Sequence, residues 1–224
     1  MSESVIEIDN LGVRYDGRWV LRGLCLRVVG GEKVAITGAS GSGKTTVLRC
    51  IMGLTPWQEG QVRVFGQTVT GHSVWHLRPR MAYVAQEPDL GRGPVREVIE
   101  RPFGYKANAA LRGNLARLDE LMGRFNLSTG LLDKQMPALS GGEKQRIALV
   151  SAILLGRDVI LLDEASSALD KANKKAVGEY LHGAEDVTVL SVSHDTEWTD
   201  FSERIVSLDE EGDNLNAEYV ESAE

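Results

Sequence analysis

The stretch that decides the fold is Gly38-Ala39-Ser40-Gly41-Ser42-Gly43-Lys44-Thr45, which matches the pattern G-x-x-x-x-G-K-[ST]. It follows a short apolar run and opens a helical pattern, so it has the strand–loop–helix context that this pattern requires. Glycines let a loop backbone approach phosphate oxygens, and the N–H groups at a helix start face the anion. We expect Lys44 to contact the β- and γ-phosphates of a nucleotide and the Thr45 hydroxyl to bind Mg²⁺.

The apolar segments around this loop fall into two classes of strand. Runs that mix β-branched and polar residues between glycines predict a small antiparallel sheet, at residues 5–8, 20–29 and 61–69. Continuously apolar runs are typical of a parallel sheet covered on both faces, and they lie at residues 34–37, 81–84, 159–162, 187–192 and 205–208. Helical periodicity falls between them, at residues 45–52, 114–125, 143–155 and 171–182. The alternation predicts an α/β fold with an open parallel sheet.

The strand pattern stops between Pro88 and Leu139, where the sequence is helical and rich in arginine. We expect residues 88–155 to form a helical subdomain inserted into an α/β core of residues 1–87 and 156–224. The whole chain, residues 1–224, then forms a single domain.

The composition limits the possible partners. The 224 residues carry a net charge of −7, and residues 209–224 hold seven acids and no Lys or Arg, which leaves a neutral body and an acidic tail. Phosphate contacts need clustered positive charge, so we expect no nucleic-acid partner. The longest apolar run, residues 147–155, is far shorter than the ~20 residues that span a bilayer, so a membrane role would need another chain. The apolar neighbours of Cys25 and Cys50 predict two buried, reduced thiols.

A pair of carboxylates, Asp163 and Glu164, ends the apolar run at residues 159–162. A buried carboxylate is costly unless a cation or hydrogen bonds satisfy it. A Mg²⁺ ion near Thr45 would satisfy Asp163, and Glu164 would then polarise a water for in-line attack on the γ-phosphate. Taken without the Lys44 loop, the pair could also be a helix cap after a strand.

A second glycine-rich loop lies at residues 139–145, which read Leu-Ser-Gly-Gly-Glu-Lys-Gln. Ser140 and Glu143 have the spacing of a capping box at the head of an apolar helix. The paired glycines leave backbone N–H groups open, which predicts a second anion site at a helix N-terminus. One nucleotide does not need two such loops about a hundred residues apart. We therefore expect the second loop to serve a nucleotide bound by another copy of the chain.

Two single residues complete the pattern. Gln86 and His194 each follow a predicted core strand, as Gly38 and Asp163 do. A lone Gln or His is more often structural than catalytic. Because ligands bind at the carboxyl ends of strands in open α/β sheets, four such residues predict one shared site.

Together these elements resemble the ATP-binding subunit of ABC transporters, over essentially the whole chain. The Lys44 loop is similar to the Walker A motif, residues 160–164 to Walker B with its catalytic glutamate, and residues 139–145 to the LSGGQ signature. Gln86 and His194 fall where the family has its Q-loop glutamine and switch histidine.

The resemblance implies a P-loop NTPase (RecA-like) core, ATP and Mg²⁺ as cofactors, and ATP hydrolysis. Residues 167–170 resemble the D-loop, and Tyr15 resembles the aromatic residue that stacks on adenine. The implied catalytic residues are Glu164, His194, Gln86 and Lys44. The implied nucleotide-binding residues are Tyr15, Gly38, Ala39, Ser40, Gly41, Ser42, Gly43, Lys44, Thr45, Thr46, Ser140, Gly141, Gly142, Glu143 and Asp170. The implied metal-binding residues are Thr45, Gln86 and Asp163.

The resemblance also implies an assembly. Two copies would form a head-to-tail dimer on ATP binding, with each ATP held between one copy's Lys44 loop and the other copy's Ser140 loop. Membrane-spanning ABC transporter subunits would grip the helical subdomain near Gln86, so the chain is expected in the cytoplasm, on the inner face of the cell membrane. Residues 163–166 read Asp-Glu-Ala-Ser where the family usually has Asp-Glu-Pro-Thr, and residues 149–154 depart from its usual Ala-Arg-Ala-Leu run. These departures resemble a bacterial subgroup associated with iron or metal export.

Two other functions stay open at this point. An ABC ATPase outside transport would act in DNA repair, on ribosomes or in a soluble enzyme complex. DNA-repair relatives carry long coiled coils and ribosomal ones carry tandem cassettes, and these 224 residues show neither. A regulator that binds nucleotide without hydrolysis would lack Lys44, Glu164 or His194, and all three are present.

Overall fold

The computed structural model describes residues 3–208, which form two β-sheets with helices packed around them. The strands of this part of the chain are β1 (Ser4–Tyr15), β2 (Arg18–Val29), β3 (Lys33–Thr37), β4 (Glu59–Val64), β5 (Gln67–Thr68), β6 (Met81–Val84), β7 (Val159–Asp163), β8 (Thr188–Val192) and β9 (Arg204–Ser207). An antiparallel sheet has the order β2-β1-β4-β5, and a parallel sheet has the order β6-β7-β8-β3-β9. The predicted α/β class and both predicted sheets are confirmed.

The helices connect and cover these strands. They are α1 (Lys44–Ile51), α2 (Val74–Leu77), α3 (Val95–Glu100), α4 (Leu118–Arg124), α5 (Gly141–Leu154), α6 (Lys171–His182) and α7 (Thr196–Thr199). Short 3₁₀ segments lie at Arg78–Arg80, Arg101–Gly104, Lys106–Arg117, Thr129–Asp133 and Met136–Ala138. No helix among residues 3–208 combines the length and the apolar character needed to cross a membrane.

The parallel sheet lies inside the molecule. Every residue of β7 and β8 is buried, as the continuous apolar runs predict for strands covered on both faces. Helix α1 buries Val47, Leu48 and Ile51 in the same apolar cluster as the buried residues of the antiparallel sheet. The loop before α1 therefore starts from a rigid strand and ends on a packed helix.

The region between β6 and β7 is helical, and its single β contact among the described residues is an isolated bridge between Pro94 and Gln135. Its apolar core includes Phe103, Leu121 and Phe125, which are fully buried. That core continues into α6 through side chains of the α/β core, so the division at residues 88 and 155 stays a prediction.

Two local expectations are corrected by the structure. The α-helix expected over residues 114–125 begins only at Leu118, and the segment before it is a 3₁₀ helix. Asn114, in that 3₁₀ segment, donates its side-chain amide to the carbonyl of Leu154. Cys25 is exposed, since its strand alternates and buries the flanking Leu24 and Leu26 on the opposite face, whereas Cys50 is buried as predicted. The acidic tail, residues 209–224, lies outside the described residues.

Candidate active site

The four predicted strand-end residues meet at one edge of the parallel sheet. Strands β6, β7, β8 and β3 are adjacent and parallel, so their carboxyl ends lie side by side. Side-chain contacts join these ends directly: Gln86 Nε2 donates to Glu164 Oε2 at 2.8 Å, and Thr45 Oγ1 donates to Asp163 Oδ1 at 2.7 Å. The predicted convergence at this edge is confirmed.

The Gly38–Thr45 loop holds a buried ammonium group. Lys44 is 6% exposed, and its Nζ donates to the carbonyls of Gly38 and Ala39 at 2.8 and 2.7 Å. Among residues 3–208, it has no carboxylate partner. Lys33, at the other end of β3, is also held by carbonyls, so burial alone does not indicate a ligand.

Two other features of the Lys44 loop, at Gly43 and Ser42, do indicate a ligand. Gly43 opens α1 with φ of +93°, and a Cβ there would lie 2.7 Å from Leu21 Cδ2, so a glycine is required. The Ser42 hydroxyl is buried without a hydrogen-bond partner in the described residues. Since a buried hydroxyl normally finds a partner, a phosphate oxygen fits this position.

Asp163 is held at both carboxylate oxygens. Thr45 reaches Oδ1 from α1, and the hydroxyl of Tyr83 donates to Oδ2 at 2.7 Å from β6. Asp163 is buried, with 5% of the residue exposed. Burial, and then the hydrogen bond to Asp163, raise the pKa of Tyr83, so the phenol remains protonated.

The hydroxyl oxygen of Thr45 and the carboxylate oxygens of Asp163 are suitable ligands for Mg²⁺. This ion is usually held by one or two carboxylates together with substrate phosphates. Within residues 3–208, no group of three or more His, Cys, Asp or Glu side chains could hold a metal by itself. A metal bound beside Thr45 and Asp163 would therefore take further ligands from phosphate oxygens and water.

Glu164 projects from the end of β7 in a strained backbone conformation. Its φ is +47°, and its N–H donates to the carbonyl of Val192 at 2.9 Å. The side chain is 21% exposed, and His194 Nδ1 lies 3.7 Å from its Oε1. His194 itself is exposed over 69% of its side chain. One oxygen of the Glu164 carboxylate, Oε2, therefore accepts a hydrogen bond from Gln86. The other, Oε1, lies near His194 beyond hydrogen-bond distance.

The second glycine-rich loop forms the predicted capping box. Ser140 Oγ accepts from the Glu143 N–H at 3.3 Å, and Glu143 Oε2 accepts from the Ser140 N–H at 2.8 Å. The hydrogen bond from the Ser140 N–H, and then one from the Ser140 hydroxyl to the same carboxylate oxygen, lower the pKa of the Glu143 carboxyl. Gly142 packs on the loop before α6, where a Cβ would meet the Ala168 carbonyl at 2.8 Å. The prediction of a capped helix start is confirmed.

Replacing Ser140 by Ala should lower the free energy of unfolding by about 1 kcal/mol, because one helix N–H loses its acceptor. The Ser140 hydroxyl also donates to the Glu143 carboxylate at 2.8 Å. The pKa of Glu143 is depressed in the folded state. The contribution of this hydrogen bond to stability is therefore fully present above the ordinary pKa of 4.5, and it is lost as pH falls from there through the lowered folded-state pKa.

Urea unfolding at neutral pH and below pH 4.5 measures this difference. Ser202→Ala serves as the control, since that hydroxyl makes no hydrogen bond among the described residues. Equal effects of the two changes at neutral pH would contradict the capping role.

Three implied site residues have other contacts. Tyr15, at the end of β1, is 44% exposed, and its hydroxyl donates to Thr55 Oγ1 at 3.4 Å. Asp170 caps α6 by accepting from the Asn173 N–H at 2.9 Å. Thr46 is buried within α1. Their roles toward a nucleotide stay predictions.

Sequence reasoning missed Tyr83 and Lys174 beside the site, and it did not foresee the contact that Gln145 makes there. Tyr83 holds Asp163, as described above. Gln145 is 1% exposed and donates its Nε2 to the carbonyl of Ala85 at 3.3 Å, next to Gln86. Lys174 pairs with Asp195 at 2.5 Å and lines, with Glu164 and His194, a cleft of about 400 Å³. Tyr83 and Lys174 had no local pattern to mark them, and the contact of Gln145, which belongs to the loop at residues 139–145, joins elements far apart in the chain.

Comparison with known proteins shows the family of this chain. A family model described as ABC transporter matches residues 21–167. The energy-coupling factor transporter ATP-binding protein EcfA1 of Lactococcus lactis subsp. lactis (strain IL1403) is 32% identical over 214 residues, which are 91% of this chain and 76% of that protein.

Two solved structures are similar in fold. The dimeric structure of MJ0796, a bacterial ABC transporter cassette, has a TM-score of 0.78 at 26% identity and covers 91% of this chain and 94% of that one. A bacterial Atm1-family ABC exporter with ATP bound has a TM-score of 0.81 at 26% identity. The match covers 96% of this chain and 39% of the exporter chain. The chain therefore belongs to the ABC transporter family, as an ATP-binding domain with ATPase activity.

Proposed function

We propose that this chain is the ATP-hydrolysing subunit of an ABC transporter and drives transport through separate membrane-spanning subunits by closing a dimer on ATP. The observation that carries the proposal is the meeting of Gln86, Glu164 and His194 beside Thr45 and Asp163. Such a group can bind a triphosphate, hold its metal and activate a water.

Nucleotide binding rests on the Lys44 loop. The Lys44 ammonium, now bound to two carbonyls of its own loop, lies where it can donate to phosphate oxygens. Thr45 and Asp163 would hold Mg²⁺, with Gln86 as a third candidate ligand. When bound, Mg²⁺ neutralises charge on the phosphates. Tyr15 is proposed to stack on the base.

Hydrolysis rests on Glu164. Gln86 donates to one carboxylate oxygen, which leaves the oxygen nearer His194 free to accept a proton from the attacking water. His194 is exposed and is proposed to contact the γ-phosphate. The strand end fixes the carboxylate at the edge of the sheet, so the proton acceptor needs no large rearrangement.

A second copy completes the site in this proposal. The Ser140 loop presents Gly141 and Gly142 at the start of a fourteen-residue helix, whose N–H groups favour an anion. The proposed ATP lies between this loop and the Lys44 loop of the other copy. The dimeric cassette MJ0796 has a similar fold, which supports such an assembly.

The membrane subunit is proposed to dock in a groove of about 730 Å³ beside Gln86, between residues 86–92 and the start of α5. Docking there would place the chain in the cytoplasm, on the inner face of the membrane. The expected iron or metal cargo is not confirmed, since the curated relative reported above is named for an energy-coupling factor. The class of cargo therefore stays unassigned.

Purification of the tagged chain from detergent-solubilised membranes tests the proposal. We expect a membrane-spanning protein to remain bound in fixed ratio and to stimulate ATP hydrolysis. Arg92→Glu, in the groove, should weaken its retention, whereas Arg63→Glu, on the antiparallel sheet, should not. Retention of ribosomes or a soluble complex, with no membrane protein, would favour the function outside transport.

A further inference from the structure

We propose that Tyr83 is a positioning residue for the metal site, and that its hydroxyl fixes the Asp163 carboxylate so that the opposite oxygen faces Thr45. The inference rests on the proposed function, because it concerns how that site holds Mg²⁺. Tyr83 lies in an apolar strand, where only its hydroxyl sets it apart.

The register of the parallel sheet places the two side chains together. Tyr83 of β6 lies opposite Leu161 of β7. Residues two apart in a strand point to the same face, so Asp163 follows Leu161 on the face that Tyr83 shares. A tyrosine side chain is long enough to reach the next position along that face, and the observed distance to Asp163 Oδ2 is 2.7 Å.

The chemistry of the pair fixes the direction of the hydrogen bond. An ionised carboxylate only accepts, so the Tyr83 hydroxyl donates. The other oxygen, Oδ1, accepts from Thr45 at the same distance, 2.7 Å. The carboxylate is therefore held by two donors from different elements, one on β6 and one on α1.

Loss of the Tyr83 hydroxyl would leave Oδ2 without a donor. No other hydrogen bond to this oxygen occurs among residues 3–208. The carboxylate would then be held by Thr45 alone. Its plane could turn about the terminal bond, and a turned carboxylate directs its lone pairs away from the metal position. Partners that orient metal ligands in this way typically change metal affinity about 10- to 100-fold.

Tyr83→Phe tests the inference, because it keeps the ring and removes only the hydroxyl. Binding of a fluorescent ATP analogue is titrated with Mg²⁺, and again in EDTA. We expect the Mg²⁺ concentration at half effect to rise about tenfold, with nucleotide affinity in EDTA unchanged. Tyr180→Phe is the matched control, since that hydroxyl accepts from Arg117 at 2.6 Å, outside the site.

Two further measurements separate positioning from folding. A structural role would weaken nucleotide binding in EDTA as much as in Mg²⁺. Adding Tyr83→Phe to an Asp163→Asn chain should leave the Mg²⁺ requirement unchanged, because the hydroxyl acts through that carboxylate.

The outcomes also separate this inference from the proposed function. A normal Mg²⁺ response in Tyr83→Phe, or an equal shift in Tyr180→Phe, would overturn the inference alone. If the unaltered chain shows no Mg²⁺-dependent ATP binding, the proposed function fails as well.

Discussion

Glu164→Gln is expected to lower ATP turnover about 10²- to 10⁴-fold and to leave a stable ATP-bound dimer. The amide cannot accept a proton from the attacking water. Its oxygen can still accept from Gln86, which donates to Glu164 at 2.8 Å in the unaltered chain, so the shape of the site survives. ATP binding and dimer closure should therefore continue while the chemical step stops.

Phosphate release and light scattering, both with excess MgATP, measure these two effects. Glu120→Gln is the matched control, because that carboxylate is exposed, pairs with Arg124 and lies on α4. Light scattering that shows only monomers of Glu164→Gln in ATP would contradict the proposed mechanism. So would turnover close to that of the control.

Lys44→Ala is expected to weaken ATP binding by about 100-fold or more and to abolish hydrolysis. A hydrogen bond to a charged group contributes about 1.5–3 kcal/mol, and Lys44 makes two bonds that phosphate oxygens could replace. The loop backbone would keep its N–H groups, so weak nucleotide binding should remain.

Calorimetric titration with ATP measures the loss. Lys175→Ala provides the comparison, since Lys175 is 71% exposed and pairs only loosely with Glu179 on α6. Lys175→Ala should bind ATP normally. An ATP affinity of Lys44→Ala within a few-fold of this control would show that the loop does not hold the phosphates through its ammonium group.

Local patterns allowed most of the fold and the outline of the site to be predicted. The capping box at Ser140 and Glu143 depends on four consecutive residues, so its spacing alone predicts it. Strands β7 and β8 are buried on both faces, so their apolar runs are unambiguous. Cys25 was placed wrongly because its two apolar neighbours outweighed the alternation of the strand.

The remaining contacts of the site depend on distant pairings. Tyr83 meets Asp163 only through the register of β6 on β7. Lys174 meets Asp195 because α6 packs beside the loop that follows β8. Sequence spacing carries no information about such pairs without the sheet order, so reasoning along the chain misses them.

The left-handed backbone at Glu164 has a consequence for engineering. A non-glycine residue at φ of +47° is less favourable than glycine, which adopts such angles freely. Selection for heat resistance alone would therefore favour the loss of this carboxylate. Thermostability and turnover pull in opposite directions at position 164, and a library screened only for melting temperature would be enriched in inactive chains.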